Sequence, residues 1–337
     1  MNRQYLKWGG LLGVIIILLF SACEQPTDFQ SESEIFQSES EMRSLQTKSL
    51  MTGNQVIVLV HGFQGGGALG GSGSSSTNPG FSAEMGITQL RLDNNGQIIE
   101  EDLIQPYFLD ENDEGLPIWL YDLGYDVWFA HYTSGPDGTD SLNESAANLS
   151  LQISQVKNLD ADGKVDIIAA SLGGLVSRHY LENTELYAND VEAIFTLGTP
   201  HKGMPVGLLL ELGFIDTETQ EPIVDITNEA MRTFNETHER AEGVQYYLIG
   251  GNAPIAYVDN KVLYHALKLF GDHDGTVLTG SALGRKKNIF DYEIAGISGR
   301  FETDETHGFK VGINPYMGKR SDGSLSTTFS IIESLLQ

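Results

Sequence analysis

The stretch VDIIAASLGGLV, residues 165–176, runs from β-branched apolar residues through a single serine into a glycine pair. Its first six residues read as a strand buried on both faces, and LGGLVSRHYLE (172–182) has the spacing of a helix. Ser171 therefore falls on a strand-to-helix turn. A serine on so tight a turn requires small residues two before and two after it, and Ala169 and Gly173 hold those positions. The pattern makes Ser171 a candidate nucleophile. Glycine is the commoner residue at the first small position, and a small-x-Ser-x-Gly match taken alone also suits an ordinary turn, so the rest of the chain has to decide.

Around this stretch apolar and amphipathic segments alternate. QVIVLV (55–60), YDVWFA (125–130), KVDIIAA (164–170), VEAIFTL (191–197), VQYYLIG (244–250) and YEIAGI (292–297) read as strands. Residues 142–159 and 172–184 have helical periodicity, with Leu142, Leu149, Ile153, Val156 and Leu159 on one face of the first. The alternation predicts a doubly wound α/β fold with a mostly parallel central sheet. Two insertions break it. One spans about 65–116 and begins with the glycine- and serine-rich GGGALGGSGSSSTNPG (65–80); the other, 203–240, opens with GMPVGLLLELGF and is placed to act as a cap or lid over a pocket.

The strand 55–60 runs into His61-Gly62-Phe63. In a sheet of this kind its end lies beside the serine turn, where the backbone N–H of Phe63 can face a developing oxyanion. The second donor is the N–H of Leu172, at the N-terminus of the helix after the serine. His61 is expected to shape the loop rather than to react.

With HGF, AASLGG, LGTPHKG (197–203) and GDHDGTV (271–277) in this order, the chain resembles the α/β-hydrolase superfamily, and within it bacterial lipases and esterases of the triacylglycerol lipase type, over roughly residues 54–310. The resemblance implies the chain order serine, acid, histidine. GDHDGTV offers Asp272 and Asp274, and the family pattern points to Asp274, the carboxylate directly before Gly-Thr-Val; Asp272 is then a solvated loop residue or local acceptor. The histidine must follow the acid, and His307 in ETHGFK is the one histidine after residue 274. His201, within LGTPHKG, is expected to be a wall or loop-fixing residue, and His179, eight residues into the helix after the serine, to serve packing.

These assignments imply ester cleavage through an acyl-enzyme, with lipid-like or other hydrophobic esters as the expected substrates and no cofactor. A short-chain carboxylesterase acting on polar esters is the alternative, and a non-catalytic surface lipoprotein that binds a ligand is the reading from a different class. Some similar lipases bind calcium through an aspartate two residues after the histidine; that position is Phe309 here, so no metal is expected.

The chain of 337 residues, 40% hydrophobic, is long enough for a full core. Residues 1–22 are laid out as a signal peptide: Arg3 and Lys7, the apolar LLGVIIILLF (11–20), then Ser21 and Ala22. Ten apolar residues fall short of the roughly 20 a spanning helix needs. Cys23, the single cysteine, can form no internal disulfide, and LFSAC is similar to the lipobox of bacterial lipoproteins, with Phe20 in place of the usual leucine. The expectation is an exported protein lipidated at Cys23 and held at a membrane of the cell envelope, with plain secretion as the alternative. Residues 23–50 contain FQSESEI followed at once by FQSESEM, a serine- and glutamate-rich tether, and residues 51–337 form the hydrolase domain. Loss of residues 1–22 leaves 18 basic against 46 acidic residues, a net charge of −28, which repels phosphate backbones and excludes nucleic acid as a partner.

Overall fold

β1 (Val56–Val60) is apolar and buried at all five positions, a pattern that requires cover on both faces of the sheet. The computed structural model describes residues 55–62, 86–92, 115–135, 138–160, 162–205, 225–253, 261–287, 289–307 and 326–336. The leader, Cys23, the tether, Phe63 and most of the first insertion lie outside the described residues. After β1 come β2 (Thr88–Gln89), α1 (Leu116–Asp122), β3 (Asp126–Ala130) and a small hairpin, β4 (Ser134–Gly135) and β5 (Gly138–Thr139). Then follow α2 (Leu142–Val156), β6 (Val165–Ala170), α3 (Leu172–Leu181), β7 (Val191–Leu197), α4 (Asn228–Thr237) and β8 (Gln245–Gly251). The last elements are α5 (Lys261–Lys268), α6 (Thr279–Ala282), β9 (Gly299–Thr303) and α7 (Thr327–Leu336).

Among the described residues, seven strands form one sheet in the order β2-β3-β1-β6-β7-β8-β9, parallel throughout except for β2. Alternation along the strands divides the core. Val56, Val58 and Val60 of β1 and Val165, Ile167 and Ala169 of β6 face a layer that includes Leu149 and Ile153 of α2 and Leu175 and Tyr180 of α3. Ile57, Leu59, Ile168 and Phe195 face the other layer, where Trp119 and Leu120 of α1 meet Phe329 and Ile332 of α7. Each fully buried Val, Leu, Ile or Phe among them contributes roughly 1.5–3 kcal/mol.

α2 begins where it does because Ser141 and Glu144 form a capping box: the Ser141 hydroxyl accepts from the Glu144 N–H at 3.2 Å, and Glu144 accepts from the Ser141 N–H at 3.0 Å. From β1 the chain passes to β3 on one side, then crosses back to β6 on the other. The carboxyl ends of β1 and β6 therefore flank the crevice at which the winding reverses, the usual place for a site in such a sheet.

One expectation is corrected. Residues 292–297 are not a strand; the seventh strand is β9, seven residues later. YEIAGI has apolar alternation, but Gly296 has φ +71° and the Tyr292 and Ile294 carbonyls are taken by the side chains of Lys202 and Arg300. The first insertion also carries β2, which pairs with β3, and it ends at the start of α1. Of the second insertion, residues 206–224 lie outside the described residues. Its remainder includes α4, whose Phe234 stacks on the His179 ring at 4.2 Å; this part is packed onto α3 as scaffold.

At the opposite end of the sheet from the crevice, Asp166 in β6 is 2% exposed, with Gln55 donating to its Oδ2. Burial pushes its carboxyl up to about 7. A folded-state value raised above the unfolded one gives stability that is present at low pH and lost as pH rises. Relative to Asp166→Asn, urea unfolding of the wild type is expected to show stability falling between about pH 4 and about pH 7, by up to about 4 kcal/mol. Parallel pH curves for the two proteins would contradict this.

Candidate active site

Ser171 lies between β6 and α3 with φ 49° and ψ −121°, in a region that side chains rarely enter. It is held there by its surroundings. The Ser171 N–H donates to the Leu197 carbonyl at 2.8 Å, extending the β6–β7 ladder, and its own carbonyl accepts from Gly174 at 3.1 Å. α3 approaches β1 closely enough that a Cβ on Gly173 would lie 2.3 Å from the His61 carbonyl oxygen and 2.5 Å from that of Val60. A Cβ on Gly174 would meet the Thr199 hydroxyl at 2.0 Å. The glycine pair is thus a steric requirement of the packing. Ser171 makes no capping bond to α3, so its hydroxyl is available to another partner and the first N–H groups of the helix, Leu172 foremost, have no side-chain cap.

That partner is His307, in the loop after β9: its Nε2 is 2.9 Å from Ser171 Oγ, and its Nδ1 is 2.9 Å from Asp274 Oδ2. The His307 N–H also donates to the Asp274 carbonyl at 2.8 Å. Asp274, fully buried, turns on itself: Oδ1 accepts from the N–H groups of Thr276 and Val277 at 2.9 and 2.7 Å, which leaves Oδ2 for the imidazole. Gly275, at φ +103°, permits the turn. GDHDGTV is therefore a loop whose geometry aims one carboxylate oxygen. Its other acid, Asp272, is paired with Lys268 at 2.6 Å and Lys287 at 2.8 Å, which hold it down at about 2. A hydroxyl, an imidazole and a carboxylate so joined form an arrangement in which the ring can accept the hydroxyl proton while the carboxylate fixes its tautomer.

His61 leaves β1 beside the elbow, fully buried, with its ring stacked at 4.1 Å on Tyr132 and its Nδ1 2.8 Å from the Gly62 carbonyl. Burial pushes it down to about 3, so the ring is neutral and Nδ1–H donates. The Tyr132 hydroxyl donates to the His61 carbonyl at 2.9 Å. The two carbonyls before Phe63 are thus both fixed by side chains, although Phe63 itself lies outside the described residues. Sequence reasoning passed over Tyr132, because nothing local to AHYTSG signals a contact 71 residues away.

His201 is buried at the far side of α3, with Nε2 bonded to Thr196 Oγ1 at 2.8 Å and Nδ1 accepting from Arg178 at 3.3 Å. Burial and the neighbouring guanidinium groups hold it neutral. Arg178 is in turn clamped by Glu182 at 2.8 Å and Asn235 at 2.7 Å. Among the described residues no group of three or more His, Cys, Asp or Glu side chains is arranged to hold a metal ion, and no helix is long and apolar enough to cross a membrane.

A predominantly parallel seven-stranded sheet covered on both faces, with a serine elbow at its switch point, defines an α/β-hydrolase. Residues 52–232, more than half the chain, match the PGAP1-like alpha/beta domain family, and the chain belongs to that family. Among solved structures, the lipase of Staphylococcus hyicus is similar at TM-score 0.50 and 15% identity, over 84% of this chain and 94% of that one. The mature Bacillus licheniformis lipase BlEst2 is similar at TM-score 0.49 and 19% identity, over 85% and 94%. Lipase 1 from Pelosinus fermentans is similar at TM-score 0.46 and 14% identity, over 85% and 99%. No curated protein sequence matches this chain.

The contact between α3 and β1 can be tested directly. Gly173→Ala puts a methyl group against two backbone carbonyls that cannot rotate away, and is expected to cost about 3 kcal/mol in urea unfolding. An unchanged unfolding midpoint would mean that the approach is looser than described.

Proposed function

We propose that this protein is a serine hydrolase that cleaves carboxylic esters, with lipid-like or other hydrophobic acyl esters as substrates. The observation that carries the reading is the bridging position of His307, 2.9 Å from Ser171 Oγ and 2.9 Å from Asp274 Oδ2. In the proposed cycle Ser171 Oγ attacks the ester carbonyl carbon as His307 Nε2 takes its proton. The imidazolium is stabilised by Asp274 and the oxyanion by the N–H groups of Phe63 and Leu172. Collapse breaks the ester C–O bond, and His307 returns the proton to the leaving alcohol. Water then attacks the acyl-enzyme, giving up a proton to His307, and the acid leaves as Ser171 recovers its hydrogen.

A buried Asp274 held by two backbone N–H groups supports this role, since it can orient the ring without itself moving. The apolar segment that opens at residue 203 and the similarity to lipases favour a hydrophobic acyl group. Lipidation of Cys23 and attachment to the cell envelope through the 23–50 tether belong to the same proposal, and bring the enzyme to membrane-derived or extracellular lipid esters.

The test is hydrolysis of p-nitrophenyl esters from acetate to palmitate. Rates are expected to hold or rise with chain length, and Ser171→Ala to lose on the order of 10⁴-fold or more together with all fluorophosphonate labelling. Rates that collapse beyond short acyl chains would replace the lipase by a carboxylesterase of polar esters. Folded wild type that neither hydrolyses these esters nor takes the label would leave a ligand-binding lipoprotein on a hydrolase scaffold.

A further inference from the structure

One buried acid beside the proposed active site has no part in the chemistry above. Glu305, two residues before His307, is fully buried. Its carboxylate reaches across to the N-terminus of α7: the Thr328 N–H donates to Oε1 and Oε2 at 3.3 Å each, and the Thr328 hydroxyl donates to Oε2. Ser326 and Thr327 also donate to it, and these bonds oppose the burial that pushes the group up from the usual carboxylate range. An isolated carboxylate so enclosed is costly, and free N–H groups at the start of a helix are the backbone feature that offsets the cost.

Both ends of this contact are anchored. At the helix end, Ser326 Oγ accepts from the Phe329 N–H at 3.1 Å, while Phe329 and Ile332 are fully buried, with Phe329 stacked on Trp119 of α1 at 5.1 Å. At the histidine end, Thr303 closes β9 with its carbonyl accepting from Asn252 at 2.8 Å. His307 bonds Asp274 through its N–H and its Nδ1, and Ser171 through its Nε2. Ser171 is placed by β6 and β7 and Asp274 by the loop between α5 and α6. The Glu305 contact thus supplies the His307 loop with an attachment to the helical layer that does not run through Asp274.

We propose that Glu305 is a positioning residue for the His307 imidazole: by tying the end of β9 to the N-terminus of α7 it holds Nε2 within bonding distance of Ser171 Oγ. The proposal rests on the hydrolase reading. It concerns alignment, and alignment errors of about an ångström cost up to roughly 100-fold in rate.

The experiment uses the full-length protein, well below its unfolding temperature, with active sites counted by fluorophosphonate titration. Glu305→Ala is expected to lower kcat by about tenfold or more with KM within about twofold, while Glu305→Gln, whose amide can both accept from and donate to Thr328, restores most of it. A downfield proton resonance of His307 Nδ1–H is expected in the wild type, and is expected to broaden or vanish in Glu305→Ala and to persist in Glu305→Gln. A folded Glu305→Ala protein with wild-type kcat and an unchanged resonance overturns the proposal. If Glu305→Ala does not fold, Thr328→Val decides, since it removes one donor and keeps the shape: a kcat lowered about threefold supports the role and an unchanged kcat rejects it. If the wild type hydrolyses no ester, the hydrolase reading fails by itself, and the imidazole resonance in the Glu305 and Thr328 variants still tells whether the ring is held from α7.

Discussion

The turn at Ser171 is the constraint on which the remainder depends. A non-glycine residue at φ 49° costs of order 1–3 kcal/mol and persists only where its neighbours over-determine it. Here the amide is held by β7, the following helix is buried along most of its length, and Gly173 and Gly174 let that helix sit against the carbonyls of β1 and the side chain of Thr199. The strain lifts one hydroxyl out of the top of the sheet at the point where the winding reverses. Because the hydroxyl does not cap its own helix, it remains free to bond a ring brought from 136 residues away.

Electrostatics around that hydroxyl follow from burial. His61, His131 and His201 are enclosed, and burial lowers all three, the first two to about 3 and about 4. They serve as neutral hydrogen-bonding wedges. The rear of α3 is secured differently, by the fully buried ion pair of Arg178 and Glu182, which Arg240 joins at 2.7 Å. Such a network adds little net stability compared with an apolar core, yet removing one partner typically costs about 3–5 kcal/mol because it strands a buried charge. It fixes the direction of the helix that carries the elbow, and His201 and Asn235 extend it to the loop after β7 and to α4.

Much of the architecture was legible because a sheet covered on both faces writes itself as β-branched runs. β1, β3, β6, β7 and β8 each fall within one residue of the segments their apolar content marks. β9 is different. Gly299–Thr303 lies at the edge of the sheet, mostly part-exposed, and so carries no apolar signature, whereas YEIAGI carries one for packing unrelated to strand pairing: Ile294 lies against Gly284. β2 is two residues long and too short to show a period. α4 opens with a Thr227 cap, but its polar face and single stretch of apolar contacts were hidden inside what reads as an interruption of the sheet.

What the sequence determined by itself is whatever depends on local sterics and on chain order: the small residues flanking Ser171, the strand before it, the helix after it, and a single histidine downstream of the last acidic motif. What only the tertiary structure decided is which groups meet. Asp274 meets His307 while Asp272 meets two lysines, though the two acids are separated by a single residue, because the turn stabilised by Thr276 and Val277 sends one inward and leaves the other on the surface. Tyr132 on the His61 carbonyl and Glu305 on the start of α7 leave no local mark either. Their partners are remote in the chain, and a hydrogen bond between distant segments is specified by the packing of the layers that carry them.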